Sequence, residues 1–293
     1  MKHFFIYFLI SSIALAVRVQ AFEIKVVGTD LLDATLQQPL TEFAESHKDW
    51  TLNLDLYGSI PALERLKAGQ ADLAIVAIPD DSPKPAEDYQ VVPFAFQVAV
   101  VIVKDINPLV EIDFSQLKGI YGISSDVNYG RWNEMGLTGL WSNRPIQALA
   151  LSNEDSVVFE LFKYKALNQS PLKPNVSLAA SERELFATME TDSAAIAVID
   201  HVPDSDTYRA LPVGTGKAGE FAFGPTPDNV FYGDYALRLP IYLVFKEEKK
   251  LKIKDILYFL LSKEVEEILD GEGFMALPEN VRRRTVLELD IES

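Results

Sequence analysis

Between Tyr57 and Pro79 the chain reads YGSIPALERLKAGQADLAIVAIP. This stretch predicts the end of one strand, a short helix and a second, fully buried strand. Ser59 stands where a helix cap is expected, Pro61 falls in the first turn, and Gly69 stops the helix. In the strand expected from Asp72 to Ile78, the run from Leu73 onward is apolar throughout rather than alternating, which suits a strand covered on both faces. A strand, a helix and a parallel strand in so few residues confine the fold to sheets flanked by helices. The turn Gly58-Ser59-Ile60-Pro61 would aim free backbone N–H groups out of the sheet, where a small ligand could sit.

The flanking sequence extends the pattern. Glu23 to Gly28 predicts a strand, and Leu31 to Ser46 carries helical spacing at Leu32, Leu36, Leu40 and Phe43, with Asp30 as N-cap. Pro39 inside that run predicts a kink or a restart. Leu52, Leu54 and Leu56 alternate as in a strand. The order β-α-β-α-β predicts a mainly parallel sheet with helices on its faces. Pro79 to Tyr89, acidic and holding three prolines, reads as a surface loop. The apolar run Val91 to Val103 reads as two short strands, and Asp105-Ile106-Asn107-Pro108 as a hinge.

The first residues stand apart from this pattern. Lys2 and His3 precede an apolar run from Phe4 to Val17, and Val19-Gln20-Ala21 supplies small residues for cleavage. Residues 1–21 therefore read as a secretory signal peptide, with the mature chain starting at Phe22 and located in a periplasm. The chain has no cysteine, which excludes a lipid anchor, disulfides, thiol nucleophiles and cysteine metal sites. Removing Lys2 and Arg18 with the leader takes the formal charge from −16 to −18. A surface so acidic repels nucleic acid and anionic membranes.

A second lobe is expected over residues 105–229, the first comprising 22–104 and 230–293. In the second lobe Phe114 to Tyr121 reads as a short helix, Ile146 to Leu151 as a strand and Ser156 to Leu167 as a helix. Glu182 to Glu190 reads as a helix, and Ala194 to Ile199 as a buried strand. Tyr235 to Phe245, rich in β-branched and aromatic residues, predicts a strand returning to the first lobe.

Several local motifs, in this order, resemble the periplasmic substrate-binding proteins of ABC importers, specifically the group like the phosphate-binding subunit of the high-affinity phosphate importer. They are Gly28-Thr29, Pro39-Leu40, Gly58-Ser59, and Leu66 to Ala74 (LKAGQADLA). Val98 to Val103 with Asn107-Pro108 follows, then Phe114 to Tyr121 (FSQLKGIY) and Trp132. Tyr235 to Tyr242 (YALRLPIY) and Gly271 to Pro278 (GEGFMALP) close the set. The resemblance implies a type II periplasmic-binding fold: two α/β lobes joined by two crossover segments, a ligand held between them, and closure of the lobes on it. It implies a binding protein rather than an enzyme.

Anion binding on such a fold would use helix N-termini that face the cleft. The candidate ligand-binding residues are Thr29, Asp30 and Leu31, then Ser59 and Ile60, then Asn153, Asp155 and Ser156. Taken singly, Asp30, Ser59 and Ser152 or Asn153 also read as plain helix caps. The family's phosphate contacts are poorly matched. Where it shows an arginine followed by a glycine-serine-glycine-threonine turn, this chain reads IQALALSNEDS, from Ile146 to Ser156. Asp30, Glu154 and Asp155 place carboxylates at the turns that would receive an anion, and no arginine offers a bidentate partner. High-affinity phosphate binding is therefore not expected.

Other chemistry is sparse. Gly214-Thr215-Gly216-Lys217-Ala218-Gly219 fits G-x-G-x-x-G, but Pro225 and Pro227 follow where a helix would have to start, which argues against a dinucleotide. No G-x-S-x-G, H-E-x-x-H or Walker A motif is present. Tyr129, Trp132 and Trp141 could line a cleft or pack under a loop. Arg238 could pair with an acidic neighbour or face the cleft. The expected function is capture of a small molecule of unspecified identity for an ABC importer permease or a membrane sensor, without cofactor or metal. The alternative is a non-transport accessory protein whose cleft is filled by its own side chains.

Overall fold

The computed structural model describes residues 22–124, 126–151 and 157–291. The leader and the turn holding Asn153, Asp155 and Ser156 therefore lie outside the described residues. Among the described residues no helix is long and apolar enough to cross a membrane.

Strand β1 (Phe22–Gly28) belongs to the sheet of the first lobe, with Ile24 and Val26 fully buried. Helix α1 (Asp33–Glu45) continues unbroken through Pro39. An interior proline costs about 3 kcal/mol, and the buried stripe Leu36, Leu40 and Ala44 offsets it by packing against the sheet. Strand β2 (Trp50–Asp55) pairs parallel to β1 at the sheet edge. Helix α2 (Ser59–Lys67) leads into β3 (Leu73–Ala77), parallel to β1 on its other side. Strand β4 (Tyr89–Val98) follows the proline-rich loop.

The chain then changes sheets. Strand β5 (Val100–Lys104) belongs to the second sheet, where it pairs with strands from later in the chain. The crossing therefore lies at Ala99, upstream of the Asp105–Pro108 break expected from sequence. The apolar run gave no mark of it, because β4 and β5 are both buried and their apolar side chains form one continuous core through Ala99. The second lobe contains β6 (Ile112–Asp113), α3 (Phe114–Tyr121), β7 (Gln147–Leu151) and α4 (Val158–Lys165). It continues with β8 (Ser177–Ala179), α5 (Glu182–Thr191), β9 (Ala195–Ile199), β10 (Tyr208–Ala210) and β11 (Val213–Gly214). Helix α6 (Pro227–Tyr232) precedes the return to the first lobe through β12 (Arg238–Lys246). Helices α7 (Lys250–Leu260) and α8 (Lys263–Gly271), β13 (Phe274–Ala276) and α9 (Glu279–Ile291) complete the chain.

The strand orders are β13-β4-β12-β3-β1-β2 and β10-β5-β9-β7-β8. In each sheet the pairings nearest β1 or β7 are parallel and the rest antiparallel, so the expected mainly parallel sheets are divided in character. The two crossover segments touch each other at Ala99. Its N–H donates to the Leu237 carbonyl at 2.9 Å, and the buried Tyr235 hydroxyl donates to its carbonyl at 2.8 Å.

Trp132 is fully buried and donates its indole N–H to the Ala194 carbonyl at 3.1 Å. Trp141 packs edge-on against it, and Tyr129 fills the space over Gly119. These aromatics pack beneath the loop and do not line the cleft. The G-x-G-x-x-G stretch forms β11 and a turn and opens no helix.

Candidate functional site

The carboxyl ends of β1 and β3 and the amino end of α2 form one wall of a cleft between the lobes. Gly28 allows this wall to close up: a Cβ there would lie 2.7 Å from both the Ile75 carbonyl oxygen and Leu56 Cδ2. The next residue, Thr29, is 2% exposed and donates its N–H to the Ile75 carbonyl at 2.7 Å. Its hydroxyl oxygen accepts from the Leu31 N–H and its hydroxyl reaches the Asp30 carboxylate. Thr29, not Asp30, therefore caps the short 3-10 turn Asp30–Leu32. Asp30 fails as the cap because its side chain is already one residue inside the turn.

Ser59 is likewise the first residue of α2 rather than its cap. Gly58 holds the cap position at φ 130°, a conformation an L-residue avoids, and brings no side chain to the helix end. The Ser59 hydroxyl instead accepts from the Ala77 N–H at 3.0 Å, fastening the end of β3 to the start of α2. Two backbone donors, Ser59 N–H and Ile60 N–H, find no acceptor among the described residues. Pro61 offers none.

The cleft has a volume of about 410 Å³. Thr29, Asp30, Leu31, Ser59, Ala77 and Leu239 line it from the first lobe, and Val157, Glu160, Leu161, Tyr164 and Gln169 from the second. Four of the sequence-derived candidates thus meet in one place. Ile60 does not join them; it lies 75% exposed in an adjoining groove. The second-lobe wall was missed from sequence. The spacing Glu160-Leu161-Tyr164 marks one face of α4, but nothing in it distinguishes a cleft face from any solvent face.

The lobes also touch at the mouth of the cleft. The Tyr164 hydroxyl donates to Asp81 Oδ2 at 2.5 Å, and Lys165 Nζ lies 3.9 Å from Asp80. Asp80 also takes a two-pronged contact from Arg238, at 3.1 Å and 2.8 Å. Arg238 is thus paired, and it further donates to the Val230 and Phe231 carbonyls at the end of α6. The Tyr164 hydroxyl holds the Asp81 carboxyl below its ordinary value, and Asp81 in turn raises Tyr164. Among the described residues no lysine or arginine lines the cleft. Lys163, Lys165 and Arg238, which adjoin lining residues in the chain, each face a carboxylate: Glu160 for the first, Asp80 for the other two.

Two α/β lobes, two crossover segments and a cleft walled by both define a two-lobed binding-protein fold. The profile of the PBP superfamily domain matches residues 18–264, and the chain belongs to that superfamily. The phosphate-binding protein PstS of Pseudomonas aeruginosa is 21% identical over 282 residues, spanning 90% of this chain and 86% of the relative. A possible phosphate binding protein from Planctomyces limnophilus superposes with a TM-score of 0.66 at 18% identity, over 92% of this chain and 98% of the other. PstS from Borrelia burgdorferi gives a TM-score of 0.68 at 15% identity, over 87% and 99%.

Proposed function

We propose that the chain is an extracytoplasmic solute-binding protein that captures a small molecule between its lobes for an ABC importer or membrane sensor. We further propose that inorganic phosphate is not its high-affinity ligand. The superfamily membership supports binding rather than catalysis, and the relatives named for phosphate binding support a transport role. The observation that carries the ligand reading is the charge of the cleft wall. Among the described residues Asp30 and Glu160 line it and no lysine or arginine does, and Lys163, Lys165 and Arg238 each already face a carboxylate. The Ser59 N–H and hydroxyl can hold a polar group, but a dianion leaving water needs charge-assisted partners.

A thermal-shift panel of phosphate, other oxyanions, amino acids and small organic solutes tests this. A ligand at about a hundred times its dissociation constant adds roughly 2.7 kcal/mol. Phosphate at millimolar concentration is expected to leave the midpoint unchanged, while an uncharged or cationic solute raises it. Submicromolar phosphate binding by calorimetry would overturn the ligand reading and leave the fold-level role intact. The Tyr164–Asp81 contact across the mouth favours one alternative, an accessory protein with a self-closed cleft. That reading gains if no compound on the panel shifts the midpoint.

A further inference from the structure

We propose a divalent-metal site on the second lobe, in which His201 and Glu182 coordinate a first-row transition ion, Zn2+ foremost, and Asp200 orients the imidazole. The fold builds it where the start of α5 meets the end of β9, against which that helix packs. Glu182 opens α5, with Ser181 as its cap, and Asp200 and His201 follow directly on Ile199, the last residue of β9. One nitrogen or oxygen from each of the three side chains lies within 4.8 Å of the others. The residues come from two separate elements, so no motif spacing announces them, and the sequence alone suggested no metal. None of the three lines the cleft, and the site stands or falls independently of the solute reading.

The geometry sets this group apart from an ordinary surface ion pair. Asp200 Oδ1 lies 2.8 Å from His201 Nδ1. An ionised carboxylate only accepts, so Nδ1 carries the proton and the neutral ring turns its Nε2 lone pair the other way. Nε2 faces Glu182 Oε1 at 3.3 Å. That oxygen is shielded from solvent and makes no hydrogen bond among the described residues. A charge-assisted N–H···O bond would draw the two atoms to about 2.8 Å. Two ligands of a tetrahedral ion, each about 2.1 Å from it, stand about 3.4 Å apart. The observed separation fits a shared cation better than a shared proton. A carboxylate on the second ring nitrogen is the usual support of a metal-bound histidine. Imidazole nitrogen beside carboxylate oxygen favours Zn2+ over Mg2+ or Ca2+, which prefer oxygen alone. The His201 and Glu182 side chains are 39% and 44% exposed, which leaves room for water to complete the coordination. Gly273 of the first lobe packs on Asp200, where a Cβ would lie 3.5 Å from the carboxyl carbon. A bound ion would therefore place its charge beside a contact between the lobes.

Calorimetric titration of the chelator-stripped protein with zinc chloride tests the site, at mildly alkaline pH where the ring is neutral. One saturable equivalent is expected. Glu182→Gln and His201→Gln should each weaken it at least tenfold, and Asp200→Asn about tenfold, as loss of an orienting carboxylate does. His47→Gln, on the first lobe, should leave it unchanged, and magnesium should give no saturable signal. Cooperative unfolding of each variant in chelator separates lost binding from lost folding, and Glu182→Gln, which keeps the shape of the side chain, carries the test if His201→Gln fails to fold. Long-range proton–nitrogen spectra of the histidine rings supply the geometric readout: zinc should move the His201 Nε2 resonance and leave Nδ1 protonated. No saturable zinc binding, binding indifferent to the Glu182 and His201 variants, binding lost in His47→Gln, or zinc on Nδ1 would each overturn the proposal. Equal binding of magnesium would also overturn it, by reducing the group to an acidic surface that attracts any divalent cation.

Discussion

Tyr164 and Asp81 meet across the mouth of the cleft, hydroxyl to carboxylate at 2.5 Å, although they stand on different lobes. Any solute entering from that side must first part them. Tyr164→Phe removes the donor and keeps the ring, so it should shift the lobes towards a more open arrangement without unfolding either. Small-angle scattering should report a larger radius of gyration for Tyr164→Phe and Asp81→Asn. The double variant should open no further than the singles, because both remove one contact. An unchanged radius in all three would mean that the contact follows closure rather than holding it.

Arg238 connects that mouth to the crossover. Its side chain is 13% exposed, and its guanidinium joins Asp80 to the carbonyls at the end of α6. Lysine cannot reproduce a planar fork spread over three partners. Arg238→Lys should lose about 2 kcal/mol in urea denaturation, in the range of hydrogen bonds to charged groups. Asp80→Asn keeps the acceptor oxygen and should lose less.

Stability should fall at both ends of the pH range for separate reasons. Burial alone would raise Asp72, but hydrogen bonds from Lys252, the Lys25 N–H and Lys249 outweigh it and hold the carboxyl below its ordinary value. A depressed folded-state value means that its contribution is complete above about pH 4 and disappears as pH falls through the folded value. His201 is raised by its hydrogen bond to Asp200, against the opposing effect of burial. Its contribution is complete below about pH 6.5 and disappears as pH rises through the raised value. Asp72→Asn should flatten the acid limb of the stability profile and His201→Gln the neutral-to-alkaline limb. Urea midpoints measured from pH 3 to pH 9 check both.

The Asp72 network shows why part of this molecule could be read in advance. The segment LKAGQADLA carried the family resemblance, and its aspartate proves to be structural. It binds the Lys25 N–H on the neighbouring strand and two lysines, one at the start of α7 and one just before it. Strands, helices and the Gly58 turn follow from local periodicity and backbone preference, and these are printed in the sequence. The second-lobe cleft wall and the Asp80–Arg238 pair depend on how residues far apart in the chain come together. Arg238 and Asp80 are separated by 158 positions, and no local pattern links them. The cap assignments failed more narrowly. Asp30 and Ser59 were each one residue inside a turn whose start was fixed by tertiary hydrogen bonds to β3.

Gln169 carries the last expectation. It lines the cleft, and it and Asn168 stand at φ 61° and φ 49°. Such left-handed backbone costs a residue with a Cβ on the order of 1 kcal/mol. The two close off the end of α4, where Gln169 donates its N–H to the Lys163 carbonyl at 3.1 Å, a place helices commonly give to glycine. Both side chains are exposed, so glycine removes strain without opening a cavity. Asn168→Gly should gain a few tenths of a kcal/mol, because asparagine tolerates this region better than most residues. Gln169→Gly should gain about 1 kcal/mol and, if the side-chain amide contacts ligand, weaken binding of whichever solute the thermal panel identifies. Stability gained with binding lost at Gln169, and stability alone at Asn168, is the pattern of strain kept for function. Equal gains with unchanged affinity would show that the Gln169 side chain takes no part in the site.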